Sequence, residues 1–202
     1  MSLAVRNSLA DIHAYWFEGI DDGRPIVKKR TPFVKWFRST RVLDQEMRDG
    51  FGHLLEEEVR HPDQAPDRTA LCRIILYDQL VRNMFRGTPR AYAYDETARD
   101  LSRALIADGR HAGYMLIERV FIYMPLTHSE NLADQELSVE WSRELAAVAG
   151  QRCPHNSAYF AGNLTYALKY RDIIARFGRF PNRNGILGRQ STAEEEEFLC
   201  RK

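Results

Sequence analysis

Four groups of residues have types and spacings suited to chemistry. The first lies in LCRIILYDQLVRNMFRGTPR, residues 71–90. At about 100° per residue, Leu71, Ile74, Ile75, Val81 and Phe85 fall on one apolar helical arc. Asp78 and Arg82 fall inside that arc, about 40° apart on the wheel, and Gln79 and Asn83 make a second (i, i+4) pair beside them. Two ions on a core-facing stripe must pair, because each loses several kcal/mol of hydration on burial. Such a pair either ties helices together or forms a partly desolvated site, in which Asp78 orients Arg82 toward a carboxylate or phosphate. Arg86, at the turn that follows, is a further candidate donor.

The second group is KYRDIIARFGRFPNRNGILGR, residues 169–189, where six basic side chains face Asp172 alone. Arg179 and Arg183, spaced around a Gly and a Pro turn, could clamp an anion, with Phe180 stacking and Asn184 hydrogen-bonding. Equally, some of these arginines could cap helix C-termini or pair with acidic helices. The third group is Thr127, His128, Ser129, Glu130 and Asp134. His128 with Glu130, and with Asp78 as a further candidate, suits acid/base catalysis; a histidine hydrogen-bonded to the next helix is the plainer alternative. Its spacing matches no metal motif, so neither a metal nor a cofactor is expected. The fourth group holds possible nucleophiles. Ser102, Ser138 and Ser142 lie in helices without a nucleophile-elbow pattern, and Cys72 reads as a small buried hydrophobe. GxGxxG and P-loop patterns do not occur, which leaves a nucleotide fold unsupported.

The elements that must position these groups all read as helices. Ser8 with Asp11 resembles a capping box, opening a helix with Leu9, Ile12, Tyr15 and Trp16 inward and Gly19 at its end. Lys28, Lys29 and Arg30 sit in a polar loop, and Trp16-Phe17 and Trp36-Phe37 read as core anchors. Ser39 or Thr40 caps a helix striped with Leu43, Met47, Phe51, Leu54, Leu55 and Val59, in which Gly50 and Gly52 allow close approach of a neighbour; Pro62 and Pro66 close it. After the helix of the first group, Asp95 caps a helix that stops at Gly109. Residues 114–123 form an apolar helix broken by Pro125, and Ser129 caps the next, with Ala133, Leu137, Trp141, Leu145 and Val148 on one face. A long helix runs from about residue 156 to 177, ending at Gly178 with Pro181 beyond, and Ser191 with Glu194 boxes a terminal helix. Strand alternation and hairpin signals are missing. The expectation is an all-α single domain over residues 1–202 with about seven or eight helices.

Composition narrows the function classes. Hydrophobic residues make up 44% of the 202, enough for a substantial core. A net charge of +1 gives no general reason to expect nucleic acid, and RNA binding would rest on the 169–189 segment alone. The three cysteines, Cys72, Cys153 and Cys200, are odd in number and widely spaced, which points to a reducing compartment. The opening residues lack an uninterrupted signal-type apolar stretch, and no segment is apolar enough to span a bilayer. A soluble cytoplasmic protein without membrane attachment is expected.

These motifs together resemble a bacterial family known as domain-of-unknown-function family 924. The resemblance rests on the early WF, ILYDQLVRNMFRGTPRAYAYD, FIYMPLTHSENLADQE and RDIIARFGRFPNRNGILGRQST, and covers nearly the whole chain. It implies a tetratricopeptide-like array of antiparallel helix pairs, although the ~34-residue repeat signature is missing. Family members carry a histidine ahead of the RDII run and another after the Pro of the GRFP turn, where this chain has Tyr170 and Asn182. The family has no established activity, so the resemblance implies a fold and no reaction. The leading expectation is therefore a polar, arginine-rich pocket for a small anionic ligand or an acidic peptide terminus. Asp78, Arg82, Asn83, Arg86, Arg179, Arg183 and Asn184 would line it. A hydrolase or isomerase using His128, Glu130 or Asp78, and a protein-interaction scaffold with a homo-oligomeric or other protein partner, are the alternatives.

Overall fold

The computed structural model describes residues 7–27, 31–60 and 69–201. The loop residues Lys28, Lys29 and Arg30, the closing prolines Pro62 and Pro66, and the side chain of Val59 lie outside that description. Among the described residues the chain is all-α, with no strand. The helices are α1 (Asp11–Phe17), α2 (Thr31–Phe37), α3 (Arg41–Arg60), a composite α4, α5 (Asp95–Ala107), α6 (Leu116–Thr127), α7 (Leu132–Arg152), α8 (Ser157–Phe177) and α9 (Ala193–Cys200). The α4 rod is α-helical over Ala70–Ile74, π-helical over Ile75–Leu80 and α-helical again over Val81–Met84. One helix exceeds the expected count: α2, a seven-residue element whose sequence showed only its aromatic pair. Its Pro32 stands in the first turn, where a missing N–H leaves no bond unmade.

The two aromatic pairs converge on Phe121 of α6. Trp16, Phe17 and Trp36 pack edge-on against it at ring centroid distances of 5.7, 5.5 and 5.1 Å, and Trp36 Nε1 donates to the Trp16 carbonyl at 2.9 Å. Contacts of this kind contribute about 0.5–1.5 kcal/mol each beyond simple burial. Phe37, the fourth member, is exposed instead. A second, small cluster of Ile173, Ile174 and Phe180, flanked by Tyr170, Phe177 and Phe198, docks the GRFP turn and α9 against α8. Gly178 caps α8 in the left-handed region at φ 66°, as its position predicted.

Several local expectations shift. Pro125 does not break α6; the helix carries it as far as Thr127. Proline removes the bond to the carbonyl four residues back, and Ser102 of α5 donates to the adjacent Ile122 carbonyl, tying this turn to its neighbour. Asn131 replaces Ser129 as the cap of α7, its Oδ1 accepting from the N–H groups of Ala133 and Asp134. Thr192 with Glu195 forms the box on α9, one residue beyond the expected Ser191 and Glu194. The face that α7 buries is also displaced, to Asp134, Gln135, Ser138, Val139, Ser142, Leu145 and Ala149. Ser138, Ser142 and Ala149 are small enough to let a neighbouring helix approach, and α8 packs along α7. Arg171 near the end of α8 reaches Glu136 near the start of α7, so the two run antiparallel.

Candidate functional site

The π-helical segment of α4 buries all six of its residues. Bonding i to i+5 widens the rod locally, and Asp78, on a turn otherwise packed by apolar groups, becomes fully inaccessible. Its carboxylate accepts from His128 Nδ1 at 2.7 Å and from Gln79, and pairs with Arg82 Nη2 at 3.3 Å. Burial pushes the Asp78 carboxyl upward, but the attraction of His128 and Arg82 and the two hydrogen bonds prevail, holding it well below the usual carboxylate range.

His128 terminates α6. The turn that presents it is stapled by Gln135, whose amide donates to the carbonyls of Leu126, Thr127 and Ser129 at 3.3, 2.8 and 2.7 Å. Leu126 and Thr127 belong to the last helical turn, whose carbonyls find no α-helical N–H donor further along the helix axis. Burial lowers the His128 pKa; Asp78 opposes that effect, while Arg82 and Arg183 add to it. The ring is therefore neutral at neutral pH. An ionised carboxylate can only accept, so Nδ1 must carry the proton and Nε2 its lone pair.

Asp95, expected to cap α5, makes no cap bond and instead bridges two arginines. It meets Arg82 Nη2 at 2.8 Å and Arg183 Nη1 at 3.5 Å. Both guanidiniums lie over the Tyr92 ring, at 5.2 and 4.8 Å, and Arg183 also covers Phe180 at 4.5 Å and donates to the His128 carbonyl at 2.8 Å. Burial and the neighbouring Arg82 lower the Arg183 pKa from its ordinary value. A cleft of about 390 Å³ opens here, lined by His128, Glu130, Asp95, Arg99, Arg183 and Tyr92, with Pro89, Ala93 and Leu187 as its apolar wall.

The structure thus brings Asp78, Arg82, His128, Glu130 and Arg183 into one neighbourhood. Glu130 is fully engaged there: Arg189 binds its two oxygens at 2.6 and 3.0 Å, and the Phe180 N–H donates to it at 2.8 Å. Four other candidates lie in separate networks. Arg86 forks onto Asp44 at 2.9 and 3.1 Å and reaches Asn83 Oδ1 at 2.7 Å, bracing α4 on α3. Arg179 forks onto Glu195 at 2.6 and 2.8 Å, and Asn184 donates to the same carboxylate at 3.2 Å, holding α9. Three residues at the cleft escaped the sequence reading: Tyr92, Asp95 and Arg99. Their one visible signal was position, since Tyr92 and Asp95 close the long motif that begins at Ile75. Of the two positions where the family resemblance implied histidine, Tyr170 packs against Phe180 at 5.3 Å and lies within electrostatic reach of Arg183 and Arg82, whereas Asn182 is exposed.

Among the described residues no cluster of His, Cys, Asp and Glu could hold a metal ion, and no helix is long and apolar enough to cross a membrane. The chain is similar to a protein of unknown function, ATU0120 from Agrobacterium tumefaciens, whose solved structure superposes with a TM-score of 0.76 at 30% identity, covering 96% of this chain and 97% of that one. Comparison with curated proteins gives no match. The model of a bacterial protein family of unknown function, DUF924, matches residues 12–202, and the chain belongs to that family.

Proposed function

We propose that this protein is an acid/base enzyme in which His128 transfers protons to or from a small anionic molecule seated in the cleft. The observation that carries the proposal is the hydrogen bond of 2.7 Å between His128 Nδ1 and the wholly buried Asp78. A carboxylate held in that position fixes the tautomer and orientation of an imidazole and leaves Nε2 as the acceptor. Among the described residues Nε2 has no hydrogen-bond partner, and His128 lines the cleft. A neutral imidazole of lowered pKa at neutral pH acts first as a base. Glu130, saturated by Arg189 and Phe180, serves in this scheme to hold the GRFP turn rather than to move protons.

Arg183 and Arg82 supply the cationic surroundings that favour an anionic substrate, so the expected anion recognition and the expected acid/base chemistry belong to one site. An acidic peptide terminus fits the same chemistry less well than a small molecule, given the size of the cleft. The exposed large apolar side chains Val27, Phe37, Val42, Leu132 and Tyr166 stand on five different segments, an arrangement that favours a pocket over an interaction groove. The free cysteines agree with a cytoplasmic setting, and the antiparallel α7 and α8 agree with a tetratricopeptide-like array in a single domain.

Long-range nitrogen NMR on histidine-labelled protein tests the proposal, with His128→Gln supplying the assignment. The expected spectrum at neutral pH has His128 protonated on Nδ1 only, and diethyl pyrocarbonate acylates it at Nε2. An Nε2-protonated ring, or one inert to the reagent, refutes the catalytic role.

A further inference from the structure

Arg99 is the least satisfied cation at the cleft. It stands one helical turn after Asp95 on α5, lines the cleft and is mostly covered by its neighbours. Its Nε is buried and faces Asp134 at 3.6 Å, too far for a hydrogen bond. Asp134 is better held by others: Arg103 at 2.5 Å and the Ser129 hydroxyl at 2.6 Å. A covered guanidinium normally finds several acceptors, because its five N–H groups are costly to leave unpaired.

We infer that Arg99 is the anchor for a monocarboxylate, and that the substrate is a small organic acid whose apolar part lies on Pro89, Ala93 and Leu187. This rests on taking the cleft beside His128 as the site. A planar carboxylate receives the parallel N–H groups of a guanidinium in two-pronged fashion, and this selects the class. Pro89, Ala93 and Leu187 give the cleft aliphatic surface for the rest of the molecule. Acid/base chemistry at Nε2 would then fall on the carbon or heteroatom next to the carboxylate.

The test is isothermal titration of the full chain with acetate, butyrate and hexanoate, and separately with inorganic phosphate. The panel is the parent protein, Arg99→Met, Arg99→Lys, and Arg176→Met as a charge-matched control on the exposed Glu194 pair. The parent is expected to bind the monocarboxylates saturably, about fourfold tighter for each added methylene, the ratio equivalent to burying one such group. Arg99→Met should weaken hexanoate by about ten- to a hundredfold, the range for losing charge-assisted hydrogen bonds. Arg99→Lys should recover part of the loss, and Arg176→Met should match the parent. Equal hexanoate affinity in Arg99→Met and the parent overturns the anchor, as does failure of every carboxylate to bind. Tighter binding of phosphate than of hexanoate overturns the substrate class. Either failure leaves the His128 tautomer readout untouched, so loss of this inference and loss of the acid/base role are separately visible.

Discussion

Asp78→Asn is the substitution that most directly probes the centre of the molecule. The side chain is isosteric, so no cavity opens, and the change is purely electrostatic. In the parent the carboxylate holds His128 at 2.7 Å and Arg82 at 3.3 Å, with Gln79 on its other oxygen. The amide keeps one acceptor for His128 Nδ1. Its NH2 group, however, must then face the Gln79 amide nitrogen, and the charge opposing Arg82 is gone. Removing one member of a buried pair costs about 3–5 kcal/mol when the other is left alone. Here Arg82 keeps Asp95 at 2.8 Å, which places the cost near the lower limit, about 3 kcal/mol. For a chain of this size each kcal/mol lowers Tm by about 2–4 °C, so a fall of about 6–12 °C is expected in a circular dichroism melt. The same change removes the main attraction that raises the His128 pKa against burial, so that pKa should fall further in a histidine NMR titration. A variant that melts with the parent and leaves His128 titrating as before would refute the coupling of Asp78 to His128, and with it the proposed site.

Four further outcomes follow from individual residues. Burial lowers the His128 pKa from its ordinary 6.5, so the unfolded chain takes up the proton first as pH falls. Stability should decline below about pH 6.5 until the folded imidazole also protonates, and urea midpoints of His128→Gln across the same pH range should lack that component. The Glu195 carboxyl is held down to about 2 by Arg179 and by the Thr192 N–H, so its contribution is complete above its ordinary 4.5 and is lost as pH falls toward 2. Amide protection factors, taken against the intrinsic rate at each pH, should therefore fall in α9 alone on acidification, and at neutral pH in Glu195→Gln. At Gly52 an added Cβ would meet Arg48 Cγ at 3.8 Å and Met84 Sδ at 3.9 Å, ordinary contact distances. Gly52→Ala should thus gain about 0.5–1 kcal/mol of helix propensity. Gly178→Ala, at φ 66°, should instead lose about 1–2 kcal/mol in the same thermal melts.

What the sequence made legible was local, and so was what it obscured. The helices centred on residues 43–55 and 157–177 declared themselves through apolar periodicity, and the second also through its terminal glycine, signals that act within one element. The face of α7 did not, because it is built from Gln135, Ser138 and Ser142, polar residues that a hydrophobic pattern assigns to water. Their burial depends on α8 and on the α6 turn they support, which no window along the chain contains. Pro125 was misjudged for a related reason: a proline breaks an isolated helix, whereas here Ser102 of the packed α5 binds the Ile122 carbonyl one turn before it. The site follows the same division. Asp78 and Arg82 stood out because two ions on an apolar arc have no local explanation. Asp95 did not, since an aspartate at a helix start already has one, as a cap. Arg99 had the ordinary look of a solvated helix residue. An ion that breaks its local pattern is therefore visible in the sequence, while the partner that resolves it is hidden when its own position satisfies a local rule. Buried networks such as this one will be read from sequence as half their members, and the missing half should be sought among residues at helix starts, where an acidic side chain attracts no suspicion.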